Sequence, residues 1–334
     1  SNAFKNFHNI QEFILHTGQH FDHNMSKIFF EQLKIPQPNV QLNINGGTHG
    51  EMTGRMLQEI ERELLRNQPD LVLVYGDTNS TLSGALAAVK LKIPVAHVEA
   101  GLRSFNLKMP EEINRIITDQ ISDILFCPTD IAMRNLHEEG VSKRKVDCIR
   151  VGDVMEDAVL MFSKNVIQPE KKLPKKFILV TIHRAENTDN SSKLRDIIDA
   201  LNEINNKIAS VILPLHPRTR AKIKDEGLNL ECSTLEPVSY FEMLWLIKNS
   251  SLVVTDSGGL QKEAFFMGKA CVTLRDETEW LELLEVNANK LVGANKSKIV
   301  STVRSYVGKK VQYSNHLFGG GNASMKIAGF LSTY

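Results

Sequence analysis

A chain of 334 residues with 40 Lys and Arg against 39 Asp and Glu is almost uncharged overall, so no basic field points to nucleic acid or to an anionic membrane. Hydrophobic residues make up 42%, as in an ordinary globular protein, and the length allows one or two domains with a large core. The longest apolar runs, such as residues 177–182, are too short to span a bilayer, so no membrane segment is expected.

The sequence opens on Ser1-Asn2-Ala3, which reads as a tag-cleavage remnant rather than a signal peptide. From there short β-rich runs alternate with helical stretches. In chain order the runs are 13–16, 71–75, 94–97, 124–126, 146–151, 177–181, 211–213, 252–255, 271–273 and 290–292. Several are unbroken apolar runs, the pattern of strands buried on both faces. Between them apolar residues recur at helical spacing, as at Leu57, Ile60, Leu64 and Leu65. Such alternation implies parallel sheets with helices on both faces, and the ten runs divide into two groups. The stretch 163–176, "SKNVIQPEKKLPKK", is polar, holds two prolines and breaks the rhythm, so it reads as a linker. The expected fold is α/β: two Rossmann-like, doubly wound domains facing each other across a cleft. Cys127, Cys148, Cys232 and Cys271 lie far apart with no C-x-x-C, and read as reduced core thiols, which favours the cytoplasm.

The run 252–255 ends in Asp256-Ser-Gly-Gly259 and a helical pattern follows at once. Glycines let the backbone approach a ligand, and the helix offers free N–H groups at a positive dipole end. A phosphate or diphosphate fits there, with Ser257 as a hydroxyl donor and Glu263 as an acceptor for ribose hydroxyls. The same residues would equally form a plain strand-to-helix turn with an Asp or Ser cap. The turn is neither G-x-G-x-x-G nor a Walker loop, so neither NAD nor ATP is implied and no cofactor is expected.

In "YGDTNST", Asp77 stands where a buried strand ends, a place for a catalytic group or a helix cap. "AHVEAGLR" puts Glu99 at the next strand end, with Gly101 for a tight turn. "MPEEINR" opens a helix with Pro110 early, and Glu111 and Arg115 share one face at i, i+4, as a surface ion pair also would. In the second half, "FILVTIHRAEN" sets His183 beyond a hydrophobic strand, and "HPRTR" adds a second strand end with His and Arg. Nothing has zinc spacing and there is no G-x-S-x-G elbow, so no metal site is expected. Asp77, Glu99, His183 and Ser257 thus stand at strand ends in both halves. That arrangement suits a cleft that binds a nucleotide in one domain and does acid/base work across the gap.

The motifs "GDTNST", "HVEAGLRS", "MPEEINR", "HRAEN", "HPRT" and "TDSGGLQKEA", in this order and spacing, closely resemble those of the non-hydrolysing UDP-N-acetylglucosamine 2-epimerases. The resemblance runs from "ILHTGQHFD" to "FGGGNAS", nearly the whole chain. It implies a GT-B-like fold with residues 4–153 as the N-terminal domain, 154–321 as the UDP-binding domain, and a last helix, 322–334, returning to the first. It also implies cofactor-free inversion at C2 of a UDP-2-acetamido sugar, UDP-GlcNAc to UDP-ManNAc, for polysaccharide precursors. By resemblance Asp77, Glu99 and Glu111 are the acidic residues and Arg115 an arginine needed for activity. His183 matches a histidine near the diphosphate, and Ser257, Gly258, Gly259 and Glu263 match the UDP-binding turn. A UDP-sugar is the expected partner, in a homodimer, without nucleic acid or membrane. A GT-B glycosyltransferase would share the fold, but no hydrophobic or basic acceptor face stands out.

Three departures from the family pattern bear on the substrate. Family members begin with a Gly-x-Arg-Pro loop followed by Ile-Lys. Here the remnant leads straight to Phe4-Lys-Asn-Phe-His8, so full activity of this exact chain is not expected. Where UDP-GlcNAc enzymes usually have "TERPE", this chain has Thr278-Glu-Trp-Leu-Glu282, a form more similar to epimerases of UDP-2,3-diacetamido-2,3-dideoxy-glucuronate. Arg184, Arg218 and Arg275 are then candidates for a uronate carboxylate. Finally, Gly18-Gln-His-Phe-Asp22 stands in place of the "AQHRxxLD"-like stretch of substrate-activated enzymes, so that allosteric site is expected to be absent.

Overall fold

The computed structural model describes residues 1–19, 33 and 35–334, so His20, Phe21 and Asp22 of the activation stretch lie outside the described residues. The chain divides into two compact units: Ser1–Asp157 with Asn315–Tyr334, and Ala158–Ser314.

In the first unit, β1 (Leu15–His16) pairs in parallel with β2 (Val40–Gln41). A parallel four-stranded sheet follows in spatial order β3 (Val72–Tyr75), β4 (Val95–Val98), β5 (Ile124–Cys127) and β6 (Asp147–Arg150). Its helices are α1 (His49–Asn67), α2 (Asn79–Lys90), α3 (Pro110–Ile121) and α4 (Asp130–Glu138). The second unit holds β7 (Ile178–Thr181), β8 (Val211–Pro214), β9 (Ser233–Leu235), β10 (Leu252–Thr255), β11 (Cys271–Thr273) and β12 (Asn289–Leu291). These six run parallel in the order β12-β11-β10-β7-β8-β9. The helix α5 (Val154–Phe162) carries the chain from one unit to the other. Then come α6 (Ser191–Lys207), α7 (Pro217–Asp225), α8 (Tyr240–Asn249), α9 (Gly258–Phe266), α10 (Lys296–Tyr306) and α11 (Ala323–Leu331).

All ten apolar runs hold strands. β2 and β9 were not expected: one is two residues long, and the other is the edge strand Ser-Thr-Leu, whose exposed side needs no apolar pattern. On one face of the second sheet Ile178, Val180, Val211, Leu213, Leu252 and Val254 meet Leu194, Ile197, Leu201 and Ile204 of α6 and Ile299 and Val303 of α10. Each such side chain contributes about 2 kcal/mol when fully buried. In α1 the buried stripe is Met56, Ile60 and Leu64, while Leu65 is 57% exposed. Ile60 and Leu64 of the predicted face are buried and Leu57 packs beside them, while Met56 on the four-residue ridge takes the place expected for Leu65.

The domain boundaries expected at 153/154 and 321/322 fall at 157/158 and 314/315. Hydrogen bonds explain the shift. Asp153 N donates to Phe318 O (2.7 Å) and Gly321 N to Glu156 Oε2 (2.9 Å). The Asp157 carboxylate accepts from Ala323 N (3.0 Å) and Ser324 N (2.7 Å) at the start of α11. A Cβ on Gly152, whose φ is +101°, would come within 2.5 Å of Phe318 O. Phe330 of α11 then meets Phe126 of β5 edge-on, ring centroids 5.7 Å apart. The polar stretch read as a linker belongs to the second unit, where Ile167 N donates to Phe241 O (3.2 Å) and Lys171 Nζ to Thr234 O (2.9 Å). Among the described residues no helix is long and apolar enough to cross a membrane.

Candidate active site

The second sheet reverses its strand order between β7 and β10, and ligands of open parallel sheets bind beyond the carboxyl ends of strands at such a point. There Thr181 Oγ1 and Thr255 Oγ1 share a hydrogen bond of 2.6 Å. Just beyond, Asp256 is wholly buried. It accepts from the backbone N–H groups of His183 (3.1 Å) and Arg184 (3.1 Å), and from Asn187 Nδ2 (3.1 Å). The His183 ring is 51% exposed and its Nδ1 lies 3.3 Å from Asp256 Oδ1. The Nδ1 edge of the ring thus faces the buried carboxylate. Of the two residues that could cap the next helix, Asp256 is instead the anchor of the His183 loop. The cap of α9 is Ser257, which accepts from Leu260 N (3.4 Å).

Gly258 and Gly259 form the first turn of α9 and present its unpaired N–H end. A Cβ on Gly258 would clash with Glu279 Oε1, so any larger residue there would have to displace that side chain. That loop is fixed by Arg275, which donates to Glu279 (2.9 Å), and by Gln261 Oε1, which accepts from Thr278 Oγ1 (2.9 Å) and Asn289 Nδ2 (2.9 Å). Glu263 is buried, and burial pushes its carboxyl up to about 7 even though the Lys262 charge and a Tyr240 hydrogen bond pull it down.

In the first unit, Asp77 and Glu99 follow the adjacent strands β3 and β4. The Glu99 backbone is left-handed at φ +76°, and its Oε2 lies 3.5 Å from where a Cβ on Gly76 would stand. Gly101 makes the expected tight turn at φ +82°, and a Cβ there would strike Ala132 O. Thr78 and Thr81 form the capping box of α2, so the Asp77 carboxylate is spared that duty. It accepts instead from Arg115 Nε (3.1 Å) and Nη2. Arg115 is buried, not part of a surface pair, and bonds Asp77 and Glu112. Glu112 is itself buried and accepts from Ser104 N (3.0 Å) and Phe105 N (2.8 Å), while Glu111 beside it is half-buried. The sequence singled out Glu111; the organising role of Glu112 shows only when the 104–105 loop folds onto α3.

Residues 2–332 match the UDP-N-acetylglucosamine 2-epimerase family. The chain belongs to that family. It is therefore an isomerase, with the family's GT-B-like fold of two Rossmann-like, doubly wound units. A UDP-2,3-diacetamido-2,3-dideoxy-D-glucuronate 2-epimerase of Pseudomonas aeruginosa is 58% identical over 324 residues, 97% of this chain and 92% of that protein. A UDP-N-acetylglucosamine 2-epimerase of Methanocaldococcus jannaschii is 46% identical over 97% of this chain and 92% of that one. The crystal structure of the M. jannaschii UDP-GlcNAc 2-epimerase in complex with UDP-GlcNAc and UDP superposes with a TM-score of 0.90 at 44% identity, covering 100% of this chain and 94% of that one. The Neisseria meningitidis enzyme bound to UDP-GlcNAc gives 0.89 at 31% identity, covering 100% and 95%.

In this member of the epimerase family, Trp280 is buried, and the Lys262 ammonium sits 3.8 Å from its ring centroid. A cation is thus present beside position 280, delivered from α9 rather than from the loop. Of the three arginines suggested for a uronate, Arg275 is buried against Glu279 and Arg218 bonds Asp189 at the surface (2.6 Å). Arg184 has its backbone N–H held by Asp256.

Proposed function

We propose that the protein inverts C2 of a UDP-linked 2-acetamido sugar by eliminating UDP and adding it back, with UDP-2,3-diacetamido-2,3-dideoxy-D-glucuronate as substrate. The observation that carries the substrate is the 58% identity to the P. aeruginosa enzyme over 97% of the chain. UDP-N-acetylglucosamine is the second reading, supported by the M. jannaschii relative and its complex.

The anomeric C–O bond breaks as the C2 proton is removed, giving a 2-acetamidoglycal and UDP. UDP then adds back to C1 while a proton reaches the opposite face of C2. The steps are redox-neutral and need acid/base groups at both faces and a clamp on the leaving diphosphate. Asp77, Glu99 and Glu111 supply the proton transfers, and Arg115 orients Asp77. Ser257 and the N–H groups of Gly258 and Gly259 take the diphosphate, with the outward nitrogen of His183 beside it. Glu263 accepts from the ribose. The neighbouring strand ends of Asp77 and Glu99, and the switch point that joins His183 to the Asp256 turn, support these roles. The protein works as a cytoplasmic homodimer, a reading supported by four free thiols and by exposed Phe105, Leu107, Ile113 and Ile117.

The test is a side-by-side assay of both UDP-sugars in D2O, without added NAD. The uronate should turn over roughly a hundredfold or more faster, with deuterium at C2 of the product. Turnover of UDP-GlcNAc alone would select the second reading. Product without deuterium would remove the elimination route altogether.

A further inference from the structure

His97 lies inside β4, wholly buried, and plays no part in the chemistry above. Its Nδ1 is 2.7 Å from Asp119 Oδ1 on α3, and its Nε2 is 2.7 Å from the carbonyl oxygen of Gly76. A carbonyl oxygen and a carboxylate only accept hydrogen bonds, whereas a neutral imidazole has one N–H and one lone pair. Both contacts are satisfied at once by an imidazolium. The other way to satisfy them, a proton on Asp119, conflicts with that carboxyl's remaining partners. Its Oδ2 accepts from Arg103 Nη1 (2.7 Å) and from Gly101 N (3.1 Å), which favours the charged form.

The charges around the ring favour a cation. Asp119 faces it from α3, Arg103 stands behind Asp119, and Glu139 at the end of α4 binds Arg103 Nε (2.6 Å) and Nη2 (2.6 Å). Glu99 adds its field from the end of β4, and the Cys127 and Cys148 thiols lie near enough to Asp119 to feel its charge. Burial pulls the imidazole down, but Asp119, the Gly76 carbonyl and Glu99 together raise it above its ordinary value.

The position of the ring gives it a task. Gly76 immediately precedes Asp77, and Asp119 shares α3 with Arg115, which grips the Asp77 carboxylate. Asp119 also fixes Gly101, two residues after Glu99. The link Gly76–His97–Asp119 therefore sets the spacing between the β3 turn and α3 at the place where Asp77 and Arg115 must meet. We propose that His97 is a positioning residue, held as a permanent imidazolium, that sets Asp77 and Glu99 for proton transfer at the sugar. The proposal rests on the acid/base role given to those carboxylates above.

Two measurements test it. In nitrogen-15-labelled protein both ring nitrogens of His97 should carry protons throughout pH 6 to 9; a nitrogen that loses its proton within that window overturns the idea. The second measurement is kinetic. His97→Gln can donate to only one of the two acceptors, so kcat for C2 deuterium exchange should fall about a hundredfold. KM and calorimetric UDP affinity should hold to within about threefold, because the nucleotide turn is in the other unit. An unchanged kcat, or a loss carried by KM, overturns the proposal. Should His97→Gln fail to fold, Asp119→Asn serves: it removes the carboxylate that holds the proton on His97, burial then favours the neutral ring, and kcat should fall throughout pH 6 to 9 while KM and UDP affinity hold. An unchanged kcat for Asp119→Asn contradicts the proposal. If the unmodified protein exchanges no C2 hydrogen, the functional reading falls, while the ring-nitrogen signals still report whether His97 is charged.

Discussion

At the end of β3, Asp77 leans on a guanidinium; at the end of β10, Asp256 leans on the backbone. Both are aspartates just beyond a buried parallel strand, yet the Asp77 side chain is 29% exposed and that of Asp256 is fully enclosed. The first unit balances its carboxylate with a buried side-chain cation and leaves it within reach of a ligand. The second spends its carboxylate on gathering N–H groups, and leaves the histidine beside it half-exposed. One topological position thus serves two ends: in the first unit the acid is the exposed group, and in the second it shapes the loop that offers one.

The largest effect should come from breaking the side-chain half of that contrast. Arg115→Met strips the guanidinium from Asp77 and from Glu112, which stays buried. Removing one partner of a buried pair costs about 3–5 kcal/mol. Glu112 keeps the Ser104 and Phe105 N–H bonds, which places the loss near the lower end. Urea unfolding should show it together with near-complete loss of epimerisation. A variant with full activity would mean that Asp77 does not need its arginine.

The backbone half is tested by Asp256→Asn, which keeps the shape but turns an amide donor towards donors at His183, Arg184 or Asn187. We expect a loss of about 3 kcal/mol, since each mismatched buried donor costs about 1–3. UDP affinity should weaken as the His183 loop loosens, and unchanged affinity by calorimetry would detach that loop from the nucleotide.

Glu263 sharpens the comparison through pH. Its folded value of about 7 lies above the ordinary 4.5, so the fold prefers the protonated carboxyl. Its contribution to stability is complete below pH 4.5 and is lost as pH rises to about 7. Glu263→Gln cannot titrate. It should gain about 3 kcal/mol over the parent above pH 7, at about 1.4 kcal/mol for each pH unit that separates the folded and unfolded carboxyl, and show no gain near pH 4. Parallel melting curves for the two proteins across that range would mean that the folded carboxyl titrates at its ordinary value.

The strands were legible because apolar runs such as 178–181 and 252–255 are buried on both faces, which leaves a pattern no surface segment shares. The strand-end positions of Asp77, Glu99, His183 and Ser257 were legible for the same reason: each follows such a run. What stayed hidden depends on folding across distance. Glu112 looks like Glu111 until residues 104–105 arrive, and His97 looks like one more core residue until Asp119 and Gly76 close on it. The domain boundary was expected at 153/154 with 163–176 as a linker; the chain changes unit at 157/158, inside α5, where acidic side chains bind the returning segment.

The smallest expected effect concerns Trp280. By resemblance, UDP-GlcNAc enzymes carry the arginine of "TERPE" at this position, and an indole alone could not neutralise phosphate charge. The geometry changes that expectation, because the Lys262 ammonium lies over the ring at 3.8 Å. A desolvated ammonium against an indole face is worth about 1–2 kcal/mol. Trp280→Leu alone mixes that attraction with lost packing, and Lys262→Met alone removes whatever else the ammonium binds. The double-mutant cycle separates them: the coupling between the two changes should be about 1 kcal/mol in favour of the pair. Trp280→Phe, which keeps a weaker ring, should retain roughly half of it. In contrast to the guanidinium at Asp77, this cation is held by a face without charge, so the coupling should change little between low and high salt. A coupling near zero would mean that the ring only fills space and that Lys262 is fixed by other groups.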